Sequence, residues 1–215
     1  MQAESEPAMK SKIGIFCMIL GAALVLGAVG LFQANQAEDQ NAQDAVVELM
    51  PQLVDQIRQT EEATSEEPVL ELQVPVELLT EEDKQMMEVE IDGHLYIGYL
   101  SIPDLGLDLP VMSSWSYPQL DIAPCRYAGS ILGEDLVIMA HNYRSHFANL
   151  SQLEQGDSVY FTEVDGTRTA YEVVGKDVLQ PEAVEEMTAG DFDLTLFTCT
   201  YGGASRVTIY CDQVK

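Results

Sequence analysis

The stretch Leu194-Thr195-Leu196-Phe197-Thr198-Cys199-Thr200-Tyr201-Gly202-Gly203-Ala204-Ser205-Arg206-Val207-Thr208-Ile209-Tyr210 decides the reading of this chain. Leu194 to Thr198 is a short apolar and β-branched run, the composition of a strand. Gly202 and Gly203 supply a turn, because glycine enters positive φ with no Cβ to clash. From Arg206 to Tyr210 the pattern alternates, with Val207 and Ile209 on one face and Arg206, Thr208 and Tyr210 on the other. A hairpin of this kind puts Cys199 at the end of one strand and Arg206 at the start of its partner, where their side chains project near one another.

A thiol needs help to react. Free cysteine titrates near about 8.5, so little of it is thiolate at neutral pH, and a cationic or proton-accepting neighbour makes it useful. The chain has three histidines, His94, His141 and His146. Only His141 closes a strongly apolar strand, Leu136-Val137-Ile138-Met139-Ala140. Ends of scaffold strands are where functional side chains tend to emerge. The three groups expected to meet are therefore Cys199 as nucleophile, His141 as acid/base and Arg206 as positive stabiliser. Each has a plainer alternative: a buried core thiol, a satisfied strand-end histidine, a surface charge. Arg126, Arg144 and Arg168 are rival cations, Arg144 foremost because it follows His141 by three positions. His146 stands five after His141, which is wrong for a metal pair on one helix face, and no metal site is expected.

Thr195-Leu196-Phe197-Thr198-Cys199 resembles the TLxTC signature of the sortases, cysteine transpeptidases of Gram-positive cell surfaces. An Arg on the following strand and an upstream His closing a strand complete the similarity. Ala140-His141-Asn142 is similar to the family's His motif, although relatives often carry Gly where Ala140 stands. Ile97-Gly98-Tyr99-Leu100-Ser101-Ile102-Pro103 and Leu109-Pro110-Val111 look like the opening strands of the same domain. The resemblance covers roughly residues 89–215. It implies an all-β fold, a closed barrel of about eight strands with short helices. It further implies a thioester acyl-enzyme, cleavage of LPxTG-like sorting signals on surface proteins or pilins, and transfer to a cell-wall or pilin lysine amine. The neighbours Thr198, Ala140 and Asn142 are expected to contact the substrate. No cofactor is expected; some sortases bind calcium through acidic loop residues, and Glu154, Asp157, Glu182, Glu185 and Glu186 keep that alternative open. Classes A, B, D and the pilus type share the triad. The aromatic-containing DP lid motif frequent in the pilus type does not occur in the acidic stretch ahead of the barrel.

Working outward to the N-terminus, residues 1–12 are a polar lead ending in Lys10 and Lys12. Ile13 to Phe32 then carries no charge. About 20 residues at ~1.5 Å each match the roughly 30 Å core of a bilayer, so 13–32 reads as a transmembrane anchor. The lysines before it and the acids after it place the N-terminus in the cytoplasm and the remainder outside. A cleaved signal peptide is the competing reading, although its apolar region is usually only about 7 to 15 residues. Residues 33–88 read as an acidic stalk, with fifteen Asp and Glu against Arg58 and Lys84. Within it Val46, Val47, Leu49, Met50, Leu53, Val54 and Ile57 recur at helical spacing as one apolar stripe. Pro51 is expected to kink or restart that helix. The stripe suits a juxtamembrane or weak self-association helix, and less readily one that covers the groove of the catalytic domain. Glu61 to Pro68 reads as linker and Val69 to Val76 as a loose strand.

From Val89 onward, short strands with turn signals suggest a barrel or sandwich. They are His94–Ile102 after the Asp92-Gly93 turn, Leu107–Met112, Leu136–Ala140, Ser158–Val164, then Arg168–Val174 after Asp165-Gly166. Ser113 to Pro124 reads as loop. Phe147, Leu150 and Leu153 suggest a short helix, and Pro181–Met187 a helical turn. The formal net charge of −26 excludes nucleic acid as a partner by repulsion. Cys125 and Cys211 are left as either a disulfide or two buried thiols. Two other function classes fit less well. A cysteine peptidase would give its acyl group to water. A non-catalytic adhesin or pilin would carry a sorting signal and an apolar tail, which are not seen before Lys215.

Overall fold

The structure, a computed structural model, describes residues 8–64 and 85–215. The chain divides into two compact units, Met1–Asp39 and Gln40–Lys215. Helix α1 (Ala8–Thr64) begins in the first. There its apolar side chains, from Ile15 and Phe16 to Leu31 and Phe32, are exposed. With a mean hydropathy of 2.6 over its most apolar window, this helix is long and apolar enough to cross a membrane.

The second unit is built on nine strands: β1 (Val89–Ile91), β2 (His94–Ile102), β3 (Leu107–Met112), β4 (Cys125–Ala128), β5 (Leu136–Ala140), β6 (Ser158–Glu163), β7 (Arg168–Leu179), β8 (Leu194–Cys199) and β9 (Arg206–Gln213). Their order is β1-β2-β3-β4-β5-β8-β9-β7-β6, and β6 pairs back onto β2. Eight strands thus close into a barrel, with β1 an extra strand on β2. The expected all-β barrel is what the chain forms. At the β1–β2 turn Asp92 (φ 51°) and Gly93 (φ 80°) both sit in the left-handed region, the requirement of a two-residue hairpin that follows sheet twist.

Alternation fills the barrel. Ile97, Leu100 and Ile102 of β2, Leu136 and Ile138 of β5, Leu194 and Leu196 of β8, and Ile209 and Cys211 of β9 share one buried cluster. Phe147, Leu150 and Leu153 join it, fully buried. They do so from turns and a 3₁₀ segment (Leu150–Gln152), the form the expected short helix takes. A strict spacing of three is the period of the tighter helix, which turns in about 3.0 residues.

Two layers cover the barrel from outside. The Gln40–Thr64 part of α1 docks on it: Leu49, Leu53 and Ile57 are buried with Ile91, Tyr96, Met112, Leu120 and Cys125. The apolar stripe therefore packs on the barrel and is not the weakly associating juxtamembrane helix expected from sequence. The helix continues through Pro51, where docked residues on both sides hold it. On another face, the connection from Gln180 to Asp193, with helix α3 (Val184–Met187), lies over β5 and β8 and buries Val137, Leu179, Met187 and Phe197 together. The segment read as loop at 113–124 contains helix α2 (Tyr117–Leu120), capped by the Ser116 hydroxyl, which accepts from the Gln119 amide. β7 is longer than expected because it pairs with both β6 and β9. The expected strand at Val69–Val76 lies outside the described residues. Cys125 and Cys211 are free and buried, in separate clusters.

Barrel closure depends on Gly98. It adopts φ +145°, and a Cβ there would overlap the Thr162 carbonyl oxygen of β6. Gly98→Ala should lower stability by about 1–3 kcal/mol or more in denaturant unfolding; an unchanged midpoint would remove Gly98 from this role. Across the same seam stands Glu163, paired with Gly98. Burial, then the charge of Asp165, pushes its carboxyl up to about 7 from 4.5. The folded protein thus holds this proton more tightly than the unfolded chain. The stabilisation is complete below about pH 4.5 and is lost as pH rises through about 7. Between about pH 5 and 8 the chain should lose roughly 1–3 kcal/mol from this group after solvent screening, and Glu163→Gln should flatten that slope in urea titrations. An equal slope in the variant would assign it elsewhere.

Candidate active site

β5 and β8 are parallel neighbours, in register from Leu136 with Leu194 to Ala140 with Thr198. Parallel strands end on the same side of a sheet, so the next residues, His141 and Cys199, leave it side by side. The Thr198 hydroxyl fixes this end by donating to the Ala140 carbonyl at 2.8 Å, in a buried bond. β9 returns antiparallel with Arg206 directly opposite Cys199. Opposed residues of an antiparallel pair share a face. Along β8, Leu194 and Leu196 point into the barrel while Phe197 packs outside. Cys199 follows Phe197 by two positions and shares its outer face.

The β8–β9 turn is locked by short bonds. Gly202 (φ 82°) and Gly203 (φ 74°) take the left-handed conformation expected of them. The Thr200 amide donates to the Ser205 carbonyl at 2.9 Å, and the Ser205 amide to the Thr200 hydroxyl at 3.1 Å. Nη1 of Arg206 donates to the Gly203 and Ser205 carbonyls, each at 3.3 Å, which steadies the guanidinium beside the turn.

Cys199, His141 and Arg206 all line one cavity of about 160 Å³. Its walls are apolar and aromatic, with Trp115 and Tyr117 on one side and Val184 and Met187 of the covering connection on another. The Cys199 thiol is half-buried and free, whereas Cys125 and Cys211 are sealed in the interior. Among the other expected residues, Ala140 and Thr198 line the cavity, and the Thr198 hydroxyl is already engaged by Ala140. Asn142 is half-buried and does not line it. The rival arginines stand elsewhere: Arg168 lies over the Tyr160 ring at 4.1 Å, Arg126 lines a second cavity, and Arg144 lines neither.

Two participants were not foreseen. Asp121, the residue after α2, sets Oδ1 3.2 Å from Nε2 of His141. The Tyr143 hydroxyl donates to the same oxygen at 3.3 Å, and its ring lies 4.9 Å from the imidazole. A carboxylate on one ring nitrogen fixes the orientation of the ring. No sequence spacing links Asp121 to His141; the fold of the 113–124 segment brings them together. Among the described residues, no three His, Cys, Asp or Glu side chains gather to hold a metal ion.

A closed barrel with a free, half-buried thiol at its rim, flanked by an imidazole and a guanidinium, defines a narrow class of protein. The family model for the sortase domain matches residues 100–214, and the chain belongs to the sortase family, whose members are cysteine transpeptidases. Comparison with curated proteins returns no match. Among solved structures, sortase C1 from Streptococcus suis is 28% identical, with TM-score 0.50, over 56% of this chain and 73% of that one. Streptococcus pneumoniae sortase C is 21% identical with TM-score 0.53, over 76% and 88%. Sortase A from Corynebacterium diphtheriae is 19% identical with TM-score 0.52, over 88% and 96%. The latter two share the fold, and class A and class C enzymes match it alike.

The Thr198–Ala140 bond gives a direct test of strand-end geometry. Thr198→Val strands a buried carbonyl and should cost about 1–3 kcal/mol, while Thr198→Ser, which keeps the hydroxyl, should cost less. Urea unfolding of the two variants side by side checks this.

Proposed function

We propose that this chain is a membrane-anchored sortase that cleaves an LPxTG-like sorting signal and transfers the protein to a cell-wall or pilin amine. The observation that carries the reading is the register of β5, β8 and β9, which sets His141, Cys199 and Arg206 on one cavity.

In this mechanism the sulfur of Cys199 attacks the scissile carbonyl carbon and a tetrahedral intermediate forms. The guanidinium of Arg206, permanently charged and forked, stabilises the oxygen that becomes negative or holds the peptide backbone. His141 gives a proton to the departing amine, and the C–N bond breaks to leave a thioester on Cys199. An incoming amine attacks that thioester, loses a proton to His141 and expels the thiolate. The new amide carries the transferred protein, and the enzyme returns to its starting state. Apolar walls that limit water favour the amine over hydrolysis.

The N-terminal apolar helix supports a single-pass anchor with the N-terminus in the cytoplasm and the barrel outside. Sorting signals and their amine acceptors would meet the enzyme at that outer surface. The 28% identical sortase C1 and a similar pilus-related sortase C of Group B Streptococcus favour surface proteins or pilins as substrates.

Incubation with a sorting-signal peptide library should leave an acyl adduct on Cys199, seen by mass spectrometry, and an added amine should release it as an amide. Release only as the free acid would make this a peptidase. Cys199→Ala should abolish transfer while thermal unfolding stays unchanged. Arg206→Lys should lose about a hundredfold or more in rate, since a point charge cannot replace the fork. Near-normal turnover would remove Arg206 from the role.

A further inference from the structure

A second cavity of the barrel unit is larger than the one that holds Cys199. β3 and β4 pair at a single position, Met112 with Cys125, and then part. Where they separate, a polar pocket of about 560 Å³ opens between Ser113–Trp115 and Arg126–Ser130. Arg126 bridges the gap: Nε donates to the Ser113 carbonyl at 2.8 Å and Nη1 to the Gly129 carbonyl at 3.4 Å. A guanidinium has five N–H donors, so most of its capacity stays unspent. Among the described residues no carboxylate pairs with Arg126. The pocket's other charge, Asp135, turns Oδ1 to the Ser130 amide at 2.9 Å and braces the β4–β5 turn. In a chain with 36 acidic and 10 basic residues, an arginine facing an open pocket with no acidic partner among the described residues is unusual.

This pocket shares two walls with the catalytic cavity. Trp115 and Tyr127 line both, and their rings stack with centroids 5.7 Å apart. An extended peptide held at Cys199 that passes these rings enters the polar pocket. Serine hydroxyls and the unspent donors of Arg126 match a carboxylate there, in the bidentate manner that suits arginine.

We propose that this pocket is an accessory subsite for a carboxylate side chain of the peptide substrate, with Arg126 as its specificity-determining residue. The proposal rests on the transpeptidase reading for its choice of a peptide as occupant. The pocket gives the enzyme a preference for an acidic residue outside the bonds it breaks and makes. A neutral isostere leaves the guanidinium unanswered and gains less.

The test uses the full chain and paired peptides in which each position flanking the sorting motif is in turn Glu or Gln. At one position Glu should be favoured in kcat/KM by about tenfold, the size of a charge-assisted hydrogen bond. Arg126→Gln should erase that preference by raising KM for the Glu peptide, and Arg126→Lys should keep part of it. Ser114→Asp puts a negative charge on the pocket wall without touching the bonds of Arg126, and should also reduce the preference. It serves if Arg126→Gln does not fold. A second readout does not need chemistry: Trp115 is the only tryptophan in the chain, so its fluorescence in Cys199→Ala reports binding directly. There the Glu peptide should bind more tightly than the Gln peptide even if no peptide acylates the wild-type enzyme, an outcome that would sink the transpeptidase reading alone. Equal binding of the two peptides, or a preference that survives in both Arg126→Gln and Ser114→Asp, overturns the proposal. In the latter case a lowered melting temperature for Arg126→Gln would mark Arg126 as a brace only.

Discussion

The site exists because two parallel strands end together. Most strands of this barrel are antiparallel to their neighbours, and an antiparallel neighbour would carry its C-terminal residue to the opposite rim. β5 and β8 run the same way, with Ala140 beside Thr198, so the residues that follow them emerge at one place. Without that pairing His141 and Cys199 would be separated by the length of a strand. The Thr198 hydroxyl, donating to the Ala140 carbonyl, ties the two ends directly. β9 then supplies Arg206 by the complementary rule, since an antiparallel return places its first residue opposite the last one of β8.

A parallel pair in a small barrel has to be covered, because both its faces are apolar. β8 is buried along nearly its whole length, and the connection from Gln180 to Asp193 supplies the outer cover. The same cover forms a wall of the cavity that holds Cys199, through Pro181, Val184 and Met187. A segment needed for stability therefore also shapes the groove. The docked part of α1 plays the stabilising role on another face, against Tyr96, Met112 and Leu120, but contributes no wall to the cavity. Leu120 touches both arrangements: it is buried under α1 and also lines the groove beside Tyr117. Helix α2 thus connects the packing of α1 to the position of Asp121 and, through it, to His141.

The strands were legible because their faces differ. His94–Ile102, Leu107–Met112 and Leu136–Ala140 match the sequence reading residue for residue, and Ile209 is fully buried on the strand face opposite Arg206, as alternation requires. Turn chemistry at Asp92-Gly93 and Gly202-Gly203 was equally plain, since few residues other than glycine tolerate those angles. What escaped is what depends on contacts between distant segments. The stripe on α1 has helical period, but period does not name the surface it packs on. Phe147, Leu150 and Leu153 suggested a short helix but not its type, because 3.0 and 3.6 are hard to separate over two turns. The three residues expected at the site converge on its cavity, yet Asp121 and Arg126 gain their meaning from loop paths that no local pattern encodes.

Burial also separates the thiols of the barrel unit chemically. Cys125 lies among apolar side chains and gives its hydrogen to the Ala123 carbonyl, and burial pushes its thiol up to about 12. Cys211 is enclosed within the barrel, where burial and the neighbouring Asp212 likewise raise it. Neither is a thiolate at neutral pH, and neither can be reached by a peptide or an oxidant from solution. Cys199 differs by position alone: it is the first residue of β8 to leave the covered part of the sheet. One strand thus ends at a reachable sulfur, while the same sheet hides two others that would compete for oxidants and electrophiles. The parallel register that sets Cys199 beside His141 therefore also leaves it as the cysteine of the barrel unit that solvent can reach.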